Sequence, residues 1–207
     1  MNIPIVYEDE WLLVVNKPAG LLTVPTPKNE SRTLISILNE YAVEQGASYH
    51  LHPCHRLDRE TSGVIVFAKG KAAQKKMMQL FGQRKTHKIY LAFLHGALEK
   101  KEGTISLPLE GASALTAYRL ISLKKGFCVA EVEPHTGRTN QIRLHFKHIG
   151  HAVVGETRFA FRKDYALKAK RLCLHAKSLS FIHPYTQKEL RLEAPLPPDM
   201  DALLKSH

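Results

Sequence analysis

The spacing of apolar residues changes several times along the chain, and each change marks an element. Trp11-Leu12-Leu13-Val14-Val15 is an unbroken apolar run closed by Asn16-Lys17-Pro18-Ala19-Gly20, which reads as a buried strand followed by a turn. Leu34, Ile37, Leu38 and Tyr41 recur at helical spacing behind Thr33, a suitable cap. Residues 64–68 form a continuous apolar strand. Ala73, Met77, Leu80 and Phe81 then describe a short amphipathic helix that stops near Gly82, with lysines on its other face and Met77 and Met78 as core filling. Strands are predicted at 89–94, 116–123, 127–132 and 179–182. Ile142, Phe146 and Ile149 predict a helix with Thr139 or Asn140 as its cap and Gly150 as its stop. Asp199-Met200-Asp201 opens a short terminal helix with acids where the macrodipole favours them. Strands outnumber helices and do not alternate with them regularly, which predicts a mainly antiparallel α+β fold rather than a doubly wound one. No Gly-rich phosphate-cradling loop is present.

Composition narrows the class. With 207 residues and 44% apolar content the chain can bury a core, so wholesale disorder is excluded. No apolar run is long enough to cross a bilayer, and Met1-Asn2-Ile3-Pro4 begins no secretion signal. Cys54, Cys128 and Cys173 are odd in number and form no Cys-x-x-Cys pair, which suits a reducing compartment; a soluble cytoplasmic protein is expected. Thirty Lys and Arg against 19 Asp and Glu give a net charge of +11. Residues 69–88 carry seven basic side chains and no acid, and residues 158–177 carry another seven opposed only by Asp164. Either tract alone fits a solvated face; the two together point to a nucleic-acid backbone.

Three segments carry candidate chemistry. His55-Arg56-Leu57-Asp58-Arg59-Glu60-Thr61-Ser62-Gly63 runs directly into the apolar strand at 64–68. Charge entering a buried strand is costly unless it is paired or used. If extended, this segment sends Arg56 and Asp58 to one side and Leu57 to the other. Asp58 is then either a carboxylate held for chemistry or half of an ion pair that closes a turn. Glu133-Pro134-His135-Thr136-Gly137-Arg138-Thr139-Asn140-Gln141-Ile142-Arg143 opens the helix at 142, either as a phosphate site with Arg138 beside it or as a capped helix with surface arginines. In Lys88-Ile89-Tyr90, if Ile89, Leu91 and Phe93 face the core, Lys88 and Tyr90 face the opposite side, where the ring could stack on a base or be an ordinary strand tyrosine.

Taken in order, these segments resemble the pseudouridine synthases of the RluA family. The likeness begins at Asn16-Lys17-Pro18-Ala19-Gly20-Leu21 and is most specific at residues 55–63. It continues through Lys88-Ile89-Tyr90-Leu91-Ala92, Thr136-Gly137-Arg138-Thr139 and Gln141-Ile142-Arg143. Arg171-Leu172-Cys173-Leu174-His175-Ala176, His183-Pro184 and Ala194-Pro195-Leu196-Pro197 complete it, so nearly the whole chain is covered. The resemblance implies the pseudouridine synthase fold: α+β, with a mixed, mainly antiparallel sheet in two lobes flanked by helices around a catalytic cleft, all in one domain over residues 1–207. It implies Asp58 as the catalytic aspartate, Tyr90 as the active-site tyrosine and Arg143 as the arginine that pairs with the aspartate. It also implies that Arg56 helps displace the target uridine and that Leu174 lines the base pocket. Arg59, Lys88 and Arg138 are expected, from their charge and position, to complete the RNA-binding set. Asn140 departs from the family, which usually has His there; this questions RNA contacts more than the chemistry.

The implied reaction breaks the uracil N1–C1′ bond, turns the base and rejoins it through C5. No atom is gained or lost, so no cofactor and no metal are expected. Asp58 must be ionised to act, and an arginine partner opposes the tendency of an apolar pocket to protonate it. The expected substrate is structured rRNA or tRNA, with the target base extruded at a cost of about a few kcal/mol. The stretch before residue 55 is too short for an additional RNA-binding domain, so recognition is expected from the catalytic domain itself. A monomer without an obligate protein partner or membrane is expected. Two rival readings remain. His50, His52 and Cys54 alternate on a strand pattern and could ligate zinc in a hydrolase. The basic charge alone would also serve a non-catalytic RNA-binding or RNA-folding factor.

Overall fold

In the computed structural model, which describes residues 3–27, 30–160, 165 and 167–206, Asp9 organises the first hairpin. Its carboxylate accepts the backbone N–H groups of Trp11 and Leu12, each at 2.8 Å, and so fixes the turn between β1 (Ile5–Glu8) and β2 (Leu12–Lys17). The chain separates into two compact units, residues 3–87 with 178–194 and residues 88–177 with 195–206.

In the first unit β2 pairs antiparallel with β4 (Ser62–Lys69), and β3 (Leu51–Pro53) pairs with β4 as well. Helix α1 (Leu34–Glu44) starts as predicted at Thr33. Thr33 and Ser36 form a reciprocal capping box, Ser36 N donating to Thr33 Oγ1 and Thr33 N donating to Ser36 Oγ. Helix α2 (Lys71–Gly82) turns Ala73 and Met77 onto Leu12, Val14, Val64, Val66 and Ala68. The last residues of β9 (Leu174–Ile182) and all of β10 (Glu189–Glu193) return to this unit as an antiparallel pair, bringing Leu179, Phe181 and Leu192 into the same core.

The second unit is built on β5 (Thr86–His95), which begins two residues before the boundary. Its strand order is β5, β8 (Phe127–Pro134), β7 (Leu115–Lys124), β6 (Glu102–Ser106), with every neighbouring pair antiparallel. Helix α3 (Gln141–His148) seats Ile142 and Phe146 on Ala92, Leu94, Ala130 and Val132, together with Leu172 and Leu174. The opposite face of β5 and β8 packs Phe93, Phe127 and Val129 against Val154, Cys173 and Met200 of α4 (Pro198–Lys205). The fold is therefore α+β and chiefly antiparallel, as the alternation of periods predicts. β1, β6 and β10 have no counterpart in the sequence reading, and β3 appears there only as the strand pattern of the zinc alternative, because each is short; β6 and β10 bury a single apolar side chain, Ile105 and Leu192, and β1 buries none. Among the described residues no helix is long and apolar enough to cross a membrane.

Candidate active site

Asp58 sits in a loop of the first unit whose backbone is fastened at several points. Leu57 is buried, while Arg56 and Arg59 are exposed and Asp58 is partly exposed, so the predicted split between Leu57 and its neighbours holds although the segment forms no strand. Thr23 Oγ1 donates to the Leu57 carbonyl at 2.8 Å and accepts the Leu57 N–H at 3.3 Å. The N–H of Thr61 closes a turn onto the Asp58 carbonyl at 3.1 Å. Beside it, Lys17 is fully buried, and its ammonium donates to the carbonyls of Pro18 at 2.9 Å, Leu21 at 2.6 Å and Arg59 at 3.1 Å. The Gly20 N–H joins the same Arg59 carbonyl at 2.8 Å, and Arg59 Nε donates back to the Gly20 carbonyl at 3.2 Å. The turn 18–21 and the Asp58 loop are thus one hydrogen-bonded piece with a buried cation at its centre.

The neighbours named by the zinc alternative do not make a metal centre. Among the described residues no group of three or more His, Cys, Asp or Glu side chains is arranged to hold a metal ion. His50 is exposed, whereas Cys54 belongs to the apolar core, and burial pushes its thiol up to about 12. His55 Nε2 accepts the Val66 N–H in the middle of β4 at 3.1 Å, and its ring lies 4.7 Å from that of Phe81 in α2.

In the second unit, Tyr90 lies on the face of β5 opposite Leu91 and Phe93, as its spacing predicts. That face, however, is also core. Tyr90 is partly buried against the cluster that contains Ala92, Leu94, Ile142 and Leu174, because α3 covers this side of the sheet. Leu174 is 3% exposed. The structure so brings Tyr90 and Leu174 into one apolar cluster with the helix that carries Arg143. Lys88 is partly buried; burial pulls its ammonium below the ordinary lysine range, and the carboxylate of Glu133 pulls the other way.

The start of α3 differs from the expected cap. Asn140 occupies the cap position in the left-handed region, φ 53°, and caps no N–H with its side chain. The turn is held by Gln141 instead. Its Oε1 accepts Thr136 Oγ1 at 2.7 Å and the Arg138 N–H at 3.0 Å, while its Nε2 donates to the Leu115 carbonyl at 3.0 Å and to Thr116 Oγ1 at 2.9 Å. Arg138 is exposed and places Nε on the Ser113 carbonyl at 3.2 Å. Asn140 Oδ1 accepts from Arg143 Nη1 at 2.8 Å, so the residue that stands where His was expected touches Arg143 directly as well as opening the helix.

Arg143 is 3% exposed and makes a two-pronged ion pair with Glu156, which is 4% exposed: Nε to Oε2 at 2.7 Å and Nη2 to Oε1 at 2.8 Å. Burial raises the Glu156 pKa, but hydrogen bonds from Arg143 and from backbone N–H groups, with the charge of Arg143, outweigh it and hold the carboxyl below its usual value. Glu156 was not among the expected site residues. Its signal is a lone acid directly after Ala152-Val153-Val154-Gly155, a charge at the exit of an apolar run.

The basic tracts are laid out unevenly. In the first, Lys71, Lys75, Arg84 and Lys85 are exposed, Lys69 pairs with Glu8 at 2.8 Å, and Lys76 lies 3.9 Å over the Tyr185 ring. In the second, Arg171 pairs with Asp199 and Lys177 with Glu131, while Arg162, Lys163 and Asp164 lie outside the described residues.

A family model described as RNA pseudouridylate synthase matches residues 11–148, a stretch holding Asp58, Tyr90 and Arg143. The chain belongs to this family. It is 36% identical over 198 residues to the dual-specificity RNA pseudouridine synthase RluA of Vibrio cholerae, covering 88% of this chain and 78% of that one. It is 34% identical over 230 residues to tRNA pseudouridine synthase C of the same organism, covering 94% of this chain and 91% of the relative. Among solved structures, human RNA pseudouridylate synthase domain containing 4 superposes with a TM-score of 0.82 at 23% identity, over 98% of this chain and 92% of that one, a likeness of fold. The chain is accordingly an RNA pseudouridine synthase, an isomerase of uridine in RNA, with the α+β pseudouridine synthase fold.

Proposed function

We propose that this synthase acts on structured RNA of the ribosomal or transfer class in the cytoplasm, as a monomer without an obligate protein partner, and that Asp58 is its reacting carboxylate. The observation that carries the assignment is the construction of the Asp58 loop: a partly exposed acid between two exposed arginines, on a backbone tied down by Thr23 and by buried Lys17. A surface ion pair that merely closed a turn has no use for so much fastening beneath it. The relatives support the substrate class, one being named for dual specificity and one for tRNA.

Roles follow from placement and residue type. Asp58 attacks the sugar or base, or assists loss of a proton. Tyr90 and Leu174, which share an apolar cluster, offer the extruded uracil a ring and an aliphatic wall. Arg143 supplies a fixed guanidinium. Arg56 fills the gap left by the displaced base, and Arg59, Lys88 and Arg138, with the exposed lysines of α2, hold the backbone and make affinity fall with salt.

Tritium release from RNA carrying C5-labelled uridine tests the assignment, because rejoining through C5 expels that hydrogen. Wild-type protein releases tritium. Asp58→Ala binds the same RNA without releasing it; release by Asp58→Ala ends the assignment. A protein that binds RNA but releases none in its wild-type form is the RNA-folding factor instead.

A further inference from the structure

Arg143 is immobilised far more thoroughly than binding a backbone phosphate requires. Its guanidinium is gripped along the side of its fork by Glu156, through Nε and Nη2, while Asn140 Oδ1 accepts from Nη1 at 2.8 Å. The Phe159 ring lies 4.9 Å from its Cζ, and the Arg158 guanidinium lies 5.1 Å from the same ring. The grip reaches past the arginine. Glu156 Oε1 also accepts the N–H groups of Thr157 at 3.0 Å, Arg158 at 2.8 Å and Phe159 at 3.3 Å. One carboxylate oxygen thus gathers a guanidinium donor and three successive backbone donors, an arrangement that calls for a full negative charge. Gly155 makes room for it. Its φ is +82°, and a Cβ there would lie on the carbonyl of Arg171, so the chain can place Glu156 here only behind a glycine.

A buried ion pair is a poor device for stability alone, since apolar side chains of similar volume commonly do as well. It is a good device for orientation, because a planar fork held along its side aims its end. We infer that Glu156 is a positioning residue of the reaction, fixing the end of the Arg143 guanidinium and the loop 157–159 as one unit, with Asn140 setting the terminal nitrogen. The inference rests on the assignment of Arg143 to the site. Glu156 itself touches no reacting atom; it acts through Arg143, and Arg158 and Phe159 move with it.

A mutant cycle tests this, reading kcat and KM by tritium release and folding by thermal melting. Glu156→Gln keeps the shape and loses the charge. It is expected to lower kcat about 10- to 100-fold, the scale of a misplaced site group, with KM changed less than about 3-fold. Glu156→Asp recovers part of the loss. In an Arg143→Met background, Glu156→Gln costs no further kcat, because the group it aims is gone. A folded Glu156→Gln protein with wild-type kcat, beside an inactive Arg143→Met protein, overturns the inference and leaves the site assignment standing. Wild-type kcat in Arg143→Met removes that assignment and the inference with it. If Glu156→Gln does not fold, Asn140→Ala decides, since it removes one contact from a partly exposed position. It is expected to lower kcat about 3- to 10-fold at unchanged melting temperature, and an unchanged kcat overturns the inference.

Discussion

The Asp58 loop and the Arg143 nest prepare charged side chains in opposite ways. Around Asp58 the fastening is to main chain: Thr23 on Leu57, Lys17 on the carbonyls of Pro18, Leu21 and Arg59, and the Thr61 N–H on Asp58 itself. The carboxylate rides on that platform, partly exposed. Around Arg143 the fastening is to the side chain, through Glu156, Asn140 and Phe159, and the group is almost wholly buried. On the roles proposed above, a group that reacts needs a steady base beneath it, whereas a group that orients gains from being held along its side chain. The two charges are also compensated differently. Lys17 is surrounded by carbonyl dipoles that its own loop supplies, and Arg143 by a full carboxylate from 13 residues away in sequence.

That contrast can be broken at several points. The largest effect is expected at Asp58: Asp58→Asn should lower turnover by about 1,000-fold or more while RNA affinity, measured by titration at fixed salt, stays within about 3-fold. Next comes the buried pair. Glu156→Ala strands the guanidinium and should cost about 3–5 kcal/mol in urea unfolding, whereas Arg143→Met with Glu156→Gln, which leaves no charge behind and keeps an oxygen for the N–H groups of residues 157–159, should recover most of it. Lys17→Met comes third, at about 2–3 kcal/mol for the ammonium's lost hydrogen bonds, and turnover should fall with it as the platform loosens. Undiminished turnover in a folded Lys17→Met protein would show that Asp58 does not depend on its base. The smallest effect is in acid. Glu156 titrates below its unfolded value, so its contribution is present above the ordinary carboxylate range and fades as pH falls through the lower, folded value. Glu156→Gln should therefore lose stability less steeply than wild type on the acid side of about pH 4.5.

Elements with a strong period were legible in advance. α1 announced itself through Thr33 and the spacing of Leu34, Leu38 and Tyr41, and β4 through its apolar run. β10 was not, because Leu190 and Leu192 alternate with charges over only five residues and look like surface. Tyr90 was placed on its correct face, yet that face proved to be covered, since a period of two cannot report a helix packing from elsewhere in the chain. The motif residues around Asp58 and Arg143 could be named from resemblance, and their family is confirmed. Their supports could not. Lys17 stood in the motif without a role, because three backbone carbonyls leave no trace in sequence. Asn140 showed only as a departure, and its bond to Arg143 is visible only once the left-handed turn is drawn. Glu156 offered just one clue, an acid one glycine beyond an apolar stretch.

Gln141 has a consequence for how this chain can vary over time. Its amide is used at both ends, accepting twice through oxygen and donating twice through nitrogen, at a position 4% exposed. Glutamate would face the Leu115 carbonyl with a second oxygen, lysine would offer nothing to Thr136, and asparagine is one methylene short of bridging the gap. Neighbouring positions can drift toward a new RNA target, but mutations at this one have no neutral neighbour to pass through, so the turn it ties should persist through changes of substrate.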